Sequence, residues 1–175
     1  LKFDGNIKLR DALNRSRNIP AIKAMQQSGV EATWETIRAM GDKDYCTVGA
    51  EKEAGLSSAI GSCGTRLTDH VNAMGSLARL GAYIPQVSIL EVKNSNGETL
   101  MKYKNEKPKQ VIDQQAAFIV NDIMADRNSR QRLLGTNSLA NLNGKNIRAS
   151  VKTGTSDISI NGKPFSKDLW AVGYT

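Results

Sequence analysis

Lys152-Thr153-Gly154-Thr155-Ser156 decides the reading of this chain. Upstream, Ile147-Arg148-Ala149-Ser150-Val151 alternates roughly between apolar and polar side chains. Downstream, a polar stretch leads into Leu169-Trp170-Ala171-Val172-Gly173-Tyr174-Thr175. Two strand patterns separated by a turn-rich segment predict an antiparallel pair joined at Asn161-Gly162. Gly154 has no side chain, so another backbone can approach the strand closely there. Lys152 supplies a fixed positive charge, and the threonines supply hydroxyl donors. Such a strand suits a peptide that ends in a carboxylate; read alone, the same residues also describe a solvated strand end.

A second polar cluster precedes it. Ser16-Arg17-Asn18 closes an amphipathic segment, Leu9 to Arg15, and Pro20 then opens the next helix in its first turn. Ser16 and Asn18 are therefore expected on a helix-to-helix turn, where short polar side chains point out of the backbone or cap the following helix. Lys-Thr-Gly and Ser-x-Asn are two of the three signatures of the serine acyl-transfer enzymes that react with penicillin.

The context extends the match. Leu9-Arg10-Asp11-Ala12-Leu13-Asn14-Arg15-Ser16-Arg17-Asn18-Ile19-Pro20-Ala21 closely resembles the stretch around the Ser-x-Asn triplet in the transpeptidase domains of bifunctional (class A) penicillin-binding proteins. Ala59-Ile60-Gly61-Ser62 with Leu67-Thr68-Asp69-His70-Val71-Asn72-Ala73-Met74 looks like the glycine-containing turn and helix midway through those domains. Asp168 to Thr175 looks like the strand after their Lys-Thr-Gly strand. The resemblance runs from end to end in the right order. It implies an α/β fold of the α+β type, the penicillin-binding, transpeptidase-like fold, with an antiparallel sheet and a helical subdomain. One partial domain over 1–175 is expected, incomplete at both ends, with helices in about 1–85 and 111–143 and the final strands in about 146–175.

One departure stands out. The family's first signature, Ser-x-x-Lys, carries the nucleophile and its activating lysine. It should precede Ser16, yet the fifteen residues before Ser16 contain no serine. Later, Ser129 is followed three positions on by Arg132, and Ser159 by Gly162. The chain reads as a piece of a longer protein that lacks the nucleophile, and on its own it is expected to be inactive.

Residue roles follow from the resemblance. It implies D,D-transpeptidation: a stem peptide ending in D-Ala-D-Ala acylates a serine, the last D-Ala leaves, and an amine takes the acyl group. Ser16 is expected to relay a proton toward the leaving amine, Asn18 to hold the substrate amide and the catalytic lysine, and Lys152 to keep Ser16 polarised. Thr153 and Thr155 are expected to bind the terminal carboxylate within the strand segment that includes Gly154 and Ser156, and the backbone N–H near Thr155 to form half of an oxyanion hole. Expected partners are peptidoglycan stem peptides, β-lactams and the missing N-terminal part of the same protein, with no cofactor and no metal. The expected location is the extracytoplasmic face of the bacterial membrane, through a membrane-anchored parent. A non-catalytic β-lactam sensor of the same fold is the alternative. A β-lactamase fits less well, because the triplet Ser-Arg-Asn sits in a transpeptidase-like context.

Composition agrees with an ordinary globular domain, at 39% hydrophobic and 23% charged residues. The net charge of +7 raises nucleic-acid binding. The basic residues are scattered, however, with no zinc-ligand spacing, helix-turn-helix signal or aromatic-rich strand beside them, which argues against that partner. Cys46 and Cys63 fit either one disulfide in an extracytoplasmic domain or two small buried thiols. His70, the single histidine, is expected on a helix face without a catalytic role.

The remaining elements follow from pattern. Helices are expected at Leu9–Arg15, Pro20–Ser28 and Ala32–Met40, the last two ended by Gly29 and Gly41. Leu67, Val71, Met74, Leu77 and Ala78 line one helical face ended by Gly81. Gln86–Lys93 and Glu98–Lys104 read as strands joined at Asn96-Gly97, followed by a polar connector over Asn105 to Gln110. Asp113 should cap a helix burying Ala116, Ile119, Val120 and Ile123. Asp126 to Asn143 reads as loop with one short helical turn around Leu133.

Overall fold

The computed structural model describes residues 3–136, 138, 140 and 147–175. Its helices are α1 (Leu9–Asn14), α2 (Asn18–Ser28), α3 (Val30–Met40), α4 (Leu67–Ala78), α5 (Gln114–Met124) and α6 (Arg127–Leu134). Its strands are β1 (Ala82–Tyr83), β2 (Glu91–Lys93), β3 (Thr99–Lys102), β4 (Lys109–Gln110), β5 (Ser150–Ile160) and β6 (Lys163–Tyr174). Helices and antiparallel strands mix in an α/β fold, as the sequence led us to expect.

β5 and β6 form the long hairpin. Their register runs from Ser150 opposite Tyr174 to Ile160 opposite Lys163, with a shift at Ser156/Asp157. The turn falls on Asn161 and Gly162, at φ 51° and 74°. Two consecutive positive φ values give the turn whose twist matches that of the strands, and Asn-Gly adopts it at little steric cost. Among the described residues β5 pairs only with β6, so its other edge is open.

The helical part has its core at Met25, Trp34, Cys46 and Cys63, with Val30, Tyr45, Ala54, Leu56 and Ala59 packed around it. Trp34 donates its indole N–H to Ser58 Oγ at 2.8 Å, and Ser58 is itself anchored on the Gly55 carbonyl at 2.6 Å. Cys46 and Cys63 are disulfide-bonded, which settles the open pairing. α3 and α4 meet at Gly41, at φ 130°. A Cβ there would lie 2.8 Å from the Asn72 amide and 3.2 Å from the Tyr83 ring, so only glycine permits the approach.

α5 ties this part to the hairpin. Asp113 caps it, accepting from the N–H groups of Gln115 and Ala116 at 2.9 and 3.0 Å. Asn121 donates to the Leu77 carbonyl at 2.8 Å and accepts from the Tyr174 hydroxyl at 2.5 Å. Its own carbonyl accepts from Ser150 at 3.1 Å. One residue thus joins α4, α5, β5 and β6. Arg130, 3% exposed, donates to the Ala149 carbonyl at 3.3 Å and fixes the start of β5.

Several expectations need correction. Asp126 to Asn143 does not begin as loop: Asp126 caps α6 by accepting from Ser129 N–H at 3.1 Å, a cap-and-turn pattern that its polar sequence concealed. The part of that segment at 137, 139 and 141–143 lies outside the described residues. Lys109–Gln110, read within a connector, pairs with Ala82–Tyr83 as β4 with β1. Two-residue strands carry no periodicity to read. The strands of the Asn96-Gly97 hairpin are shorter than expected. On α5, the buried residues are Ala117, Ile123 and Met124, whereas Ala116 and Ile119 are exposed. On α4, Leu67 and Val71 are exposed, and Ala73 and Ser76 are buried. Periodicity located the apolar stripe of each helix; close packing between helices selected the small residues beside it.

Candidate functional site

Ser16 is presented by the end of α1. Asn14, Arg10 and Asp11 fix this helix. Buried Asn14 donates to the Ile123 carbonyl at 2.7 Å, Arg10 pairs with Asp122 at 2.6 Å and Asp126 at 3.3 Å, and Asp11 accepts from Ser129 at 2.9 Å. Beyond Arg15 the chain turns through Ser16 at φ 52°. Ser16 N–H donates to the Leu13 carbonyl at 3.1 Å, and Arg17 N–H to the Ala12 carbonyl at 3.0 Å. This pair of bonds is the Schellman closure, in which the left-handed position is normally glycine. A serine there costs about 1–2 kcal/mol.

Lys152 meets it. Its Nζ donates to Ser16 Oγ, across 136 positions of sequence, and to its own neighbour's carbonyl at Thr153. Burial pushes the Lys152 ammonium below its ordinary pKa range. A desolvated cation beside a hydroxyl favours negative charge developing on that oxygen.

Expected outcome: Ser16→Gly unfolds at a higher temperature than Ser16→Ala, by about 1–2 kcal/mol of stability, because glycine relieves the positive φ and alanine does not. Thermal melts of the two variants check this; equal melting points would show that Ser16 is unstrained.

The other sequence-selected residues are placed as follows. Thr153 and Thr155 follow Lys152 on β5, and Thr155 is exposed. Gly154 faces Trp170 in the register, and a Cβ built on it would make only ordinary contact, 3.6 Å from the Trp170 Cβ. Ser156 does not turn to Ser16 or Lys152; its hydroxyl donates to Asp168 at 2.7 Å across the hairpin. Asn18 is the first residue of α2 and exposed, and its side chain makes no hydrogen bond to Ser16 or Lys152. Ser16 and Lys152 are therefore brought into contact, and Asn18 stands two residues away on the same turn. Pro20 falls in the first turn of α2, as expected.

Sequence reasoning missed the support behind the strand. Trp170 packs edge-to-face on His70, with ring centroids 5.4 Å apart and planes at 71°. Nothing in spacing alone joins positions a hundred residues apart. Among the described residues, no cluster of His, Cys, Asp and Glu could hold a metal ion, and no helix is long and apolar enough to cross a membrane.

The Lys152–Ser16 hydrogen bond joins the end of α1 to the hairpin beside the helical part. The family model for the penicillin-binding protein transpeptidase domain matches residues 2–175, and the chain belongs to that family. Penicillin-binding protein 1A/1B of Bacillus subtilis (strain 168) is 26% identical over 184 residues, covering 99% of this chain and 19% of that protein. Penicillin-binding protein 1A of Neisseria lactamica is 28% identical over 177 residues, covering 99% and 20%. The chain thus spans about a fifth of the length of these relatives. Among solved structures, the penicillin-binding protein PonA1 from Mycobacterium tuberculosis aligns with a TM-score of 0.81 at 22% identity, over 99% of this chain and 46% of that one. PonA1 in complex with penicillin V gives 0.75 at 22% identity, again over 99% and 46%. The D,D-transpeptidase domain of a peptidoglycan glycosyltransferase from Eggerthella lenta gives 0.74 at 18% identity, over 98% and 46%. These likenesses establish the fold.

Proposed function

We propose that these residues form the Ser-x-Asn and Lys-Thr-Gly walls of a serine-type peptidoglycan D,D-transpeptidase site, whose nucleophile comes from a segment outside this chain. The observation that carries the reading is the Lys152–Ser16 hydrogen bond. Two signature residues far apart in sequence share one proton-bearing contact, which a pair of unrelated surface groups has no reason to do.

In this reading a serine hydroxyl attacks the carbonyl of the penultimate D-Ala. The C–N bond to the last D-Ala breaks, the serine proton passes through Ser16 to the leaving amine, and an acyl ester remains. An acceptor amine then attacks the ester, the C–O bond breaks and the proton returns to the serine. Lys152 holds the Ser16 hydroxyl in polarised form. Thr153 and Thr155 offer hydroxyls to the terminal carboxylate, Gly154 keeps the strand low, and Ser156 with Asp168 braces the hairpin. Asn18 engages substrate and the activating lysine. The open edge of β5 gives an extended peptide backbone groups to pair with, as in strand addition. A β-lactam is taken as a second ligand of the site, in keeping with the penicillin V complex of PonA1.

The helical and strand regions act as one partial domain. A preceding segment of a longer polypeptide is its complement, supported by three things: the 46% coverage of the PonA1 chain, the exposure of Phe118 and Ile119 on α5 and Leu67 and Val71 on α4, and the lack of a Ser-x-x-Lys pair in these residues. The Cys46–Cys63 disulfide favours an oxidising compartment, hence the extracytoplasmic face of the membrane with an anchored parent. The same lack of Ser-x-x-Lys favours the second reading, a non-catalytic β-lactam sensor. Fluorescent-penicillin labelling tests both: the transpeptidase reading expects labelling of a longer polypeptide containing these residues and none of residues 1–175 alone. An unlabelled longer polypeptide defeats it, and a labelled one that cross-links no stem peptide leaves the sensor.

A further inference from the structure

Ser16 and Lys152 come from distant segments, yet each is preceded at the same short interval by a buried anchor. The anchors are Asn14, the last residue of α1, and Ser150, the first residue of β5. Their exposures are 4% and 6%. Asn14 Nδ2 donates to the Ile123 carbonyl at 2.7 Å, and Ser150 Oγ donates to the Asn121 carbonyl at 3.1 Å. Both carbonyls belong to the end of α5. The last four carbonyls of an α-helix lack partners within the helix, and in α5 these are Asn121, Asp122, Ile123 and Met124. Each accepts from a side chain of another segment: Ser150 bonds to Asn121, Arg10 to Asp122 at 3.3 Å, Asn14 to Ile123, and Arg130 to Met124. The turn itself is closed by the N–H groups of Ala125 and Asp126, which donate to the Asn121 and Ile123 carbonyls at 2.9 and 3.1 Å.

Neither wall of the site holds its own place. α1 has six residues, too few to be a stable helix without tertiary support. Among the described residues β5 pairs only with β6. Both are therefore located by what they bond to on α5. The Asp122 carboxylate also joins the two sides, through Arg10 on α1 and Arg148 ahead of β5. Those three side chains are 35–63% exposed, and ion pairs so open to water hold position weakly. Asn14 and Ser150 are buried, where a polar group that leaves its partner is left unsatisfied. The two buried bonds, rather than the charged bridge, fix the distance.

We propose that Asn14 and Ser150 are positioning residues for acyl transfer, and that the last turn of α5 is the common reference from which they set the separation of Ser16 and Lys152. The functional meaning rests on the transpeptidase reading; the shared reference belongs to the fold. A proton relay through a hydrogen bond tolerates little displacement, since an error of about 1 Å costs on the order of 10²-fold in rate. Asn14 and Ser150 act on the reaction only through the residues they place.

The test uses a longer polypeptide that contains these residues and compares Asn14→Leu, Ser150→Ala and the two together. Both substitutions remove a donor without stranding its acceptor, because the Ile123 and Asn121 carbonyls keep the N–H groups of Asp126 and Ala125. Acylation by benzylpenicillin is resolved into the dissociation constant of the first complex and the rate constant of the covalent step. Each single variant should lower the rate constant about tenfold and leave the dissociation constant within about twofold. The double variant should also fall about tenfold, because one alignment cannot be lost twice. Two separate supports would instead give losses that multiply to about a hundredfold. Losses that multiply overturn the proposal, as does a rate constant unchanged in Ser150→Ala. Should Asn14→Leu fail to fold, Ser150→Ala decides. An unsubstituted polypeptide that never reacts defeats the transpeptidase reading, and crystal structures of the variants then decide the positioning role. In them Lys152 Nζ and Ser16 Oγ should stand more than about 3.5 Å apart; a contact kept within that distance overturns the proposal.

Discussion

Lys152→Ala is expected to slow acylation by benzylpenicillin about 10²- to 10³-fold in a longer polypeptide that includes these residues, the scale of losing one preorganised charge-stabilising group. The loss should appear in the second-order rate of adduct formation, with little change in melting temperature. Both halves follow from the local geometry. Lys152 is half-buried and its ammonium donates to Ser16, so in the proposed mechanism its removal deprives the proton relay of its electrostatic support. The same desolvation makes the charge a poor contributor to folding, since burial disfavours the ammonium. Lys152→Arg should not rescue the rate, because a planar guanidinium cannot take the place of a compact ammonium at a hydroxyl. A fall of less than about threefold in Lys152→Ala would remove Lys152 from the site.

The second large effect concerns the helical part. Reducing the Cys46–Cys63 bond, which spans 17 positions, should cost about 3 kcal/mol through the entropy returned to the unfolded chain. For a chain of this size that corresponds to a fall of about 6–12 °C in melting temperature. The bond lies in the cluster with Met25 and Trp34, so Trp34 fluorescence should report the transition. Cys46→Ser with Cys63→Ser should melt at the temperature of the reduced chain. A change of less than about 2 °C would mean that the packing of Trp34 and Met25 already restrains this loop without the bond.

What the sequence made legible was chemistry carried by local pattern. Lys152-Thr153-Gly154 and Ser16-Arg17-Asn18 named the kind of site because residue types at fixed spacing reflect what a reaction needs. Asn161-Gly162 named the hairpin because its dihedral demands are local, and Asp113 named the start of α5 for the same reason. What stayed hidden depended on contacts between distant segments. The left-handed turn at Ser16 was invisible because a serine stands where a glycine would have announced it. The Cys46–Cys63 pairing requires a Cα approach, here 5.2 Å, that no spacing reveals. Ala116 and Ile119, expected inside, are exposed because periodicity identifies an apolar face without identifying what covers it. The β1–β4 pair was too short to show a period, and the His70–Trp170 contact exists only once α4 and β6 have packed together.

The central claim is that Ser16 and Lys152 serve a nucleophile that residues 1–175 do not contain. Its most direct test is peptide-level mass mapping of the adduct formed when a longer polypeptide carrying this domain meets benzylpenicillin. The account predicts a single stoichiometric adduct on a serine that precedes Leu1 and is followed three residues later by lysine, with no modified serine between Leu1 and Thr175. A stoichiometric adduct on Ser16, or on any other serine of these 175 residues, would contradict it.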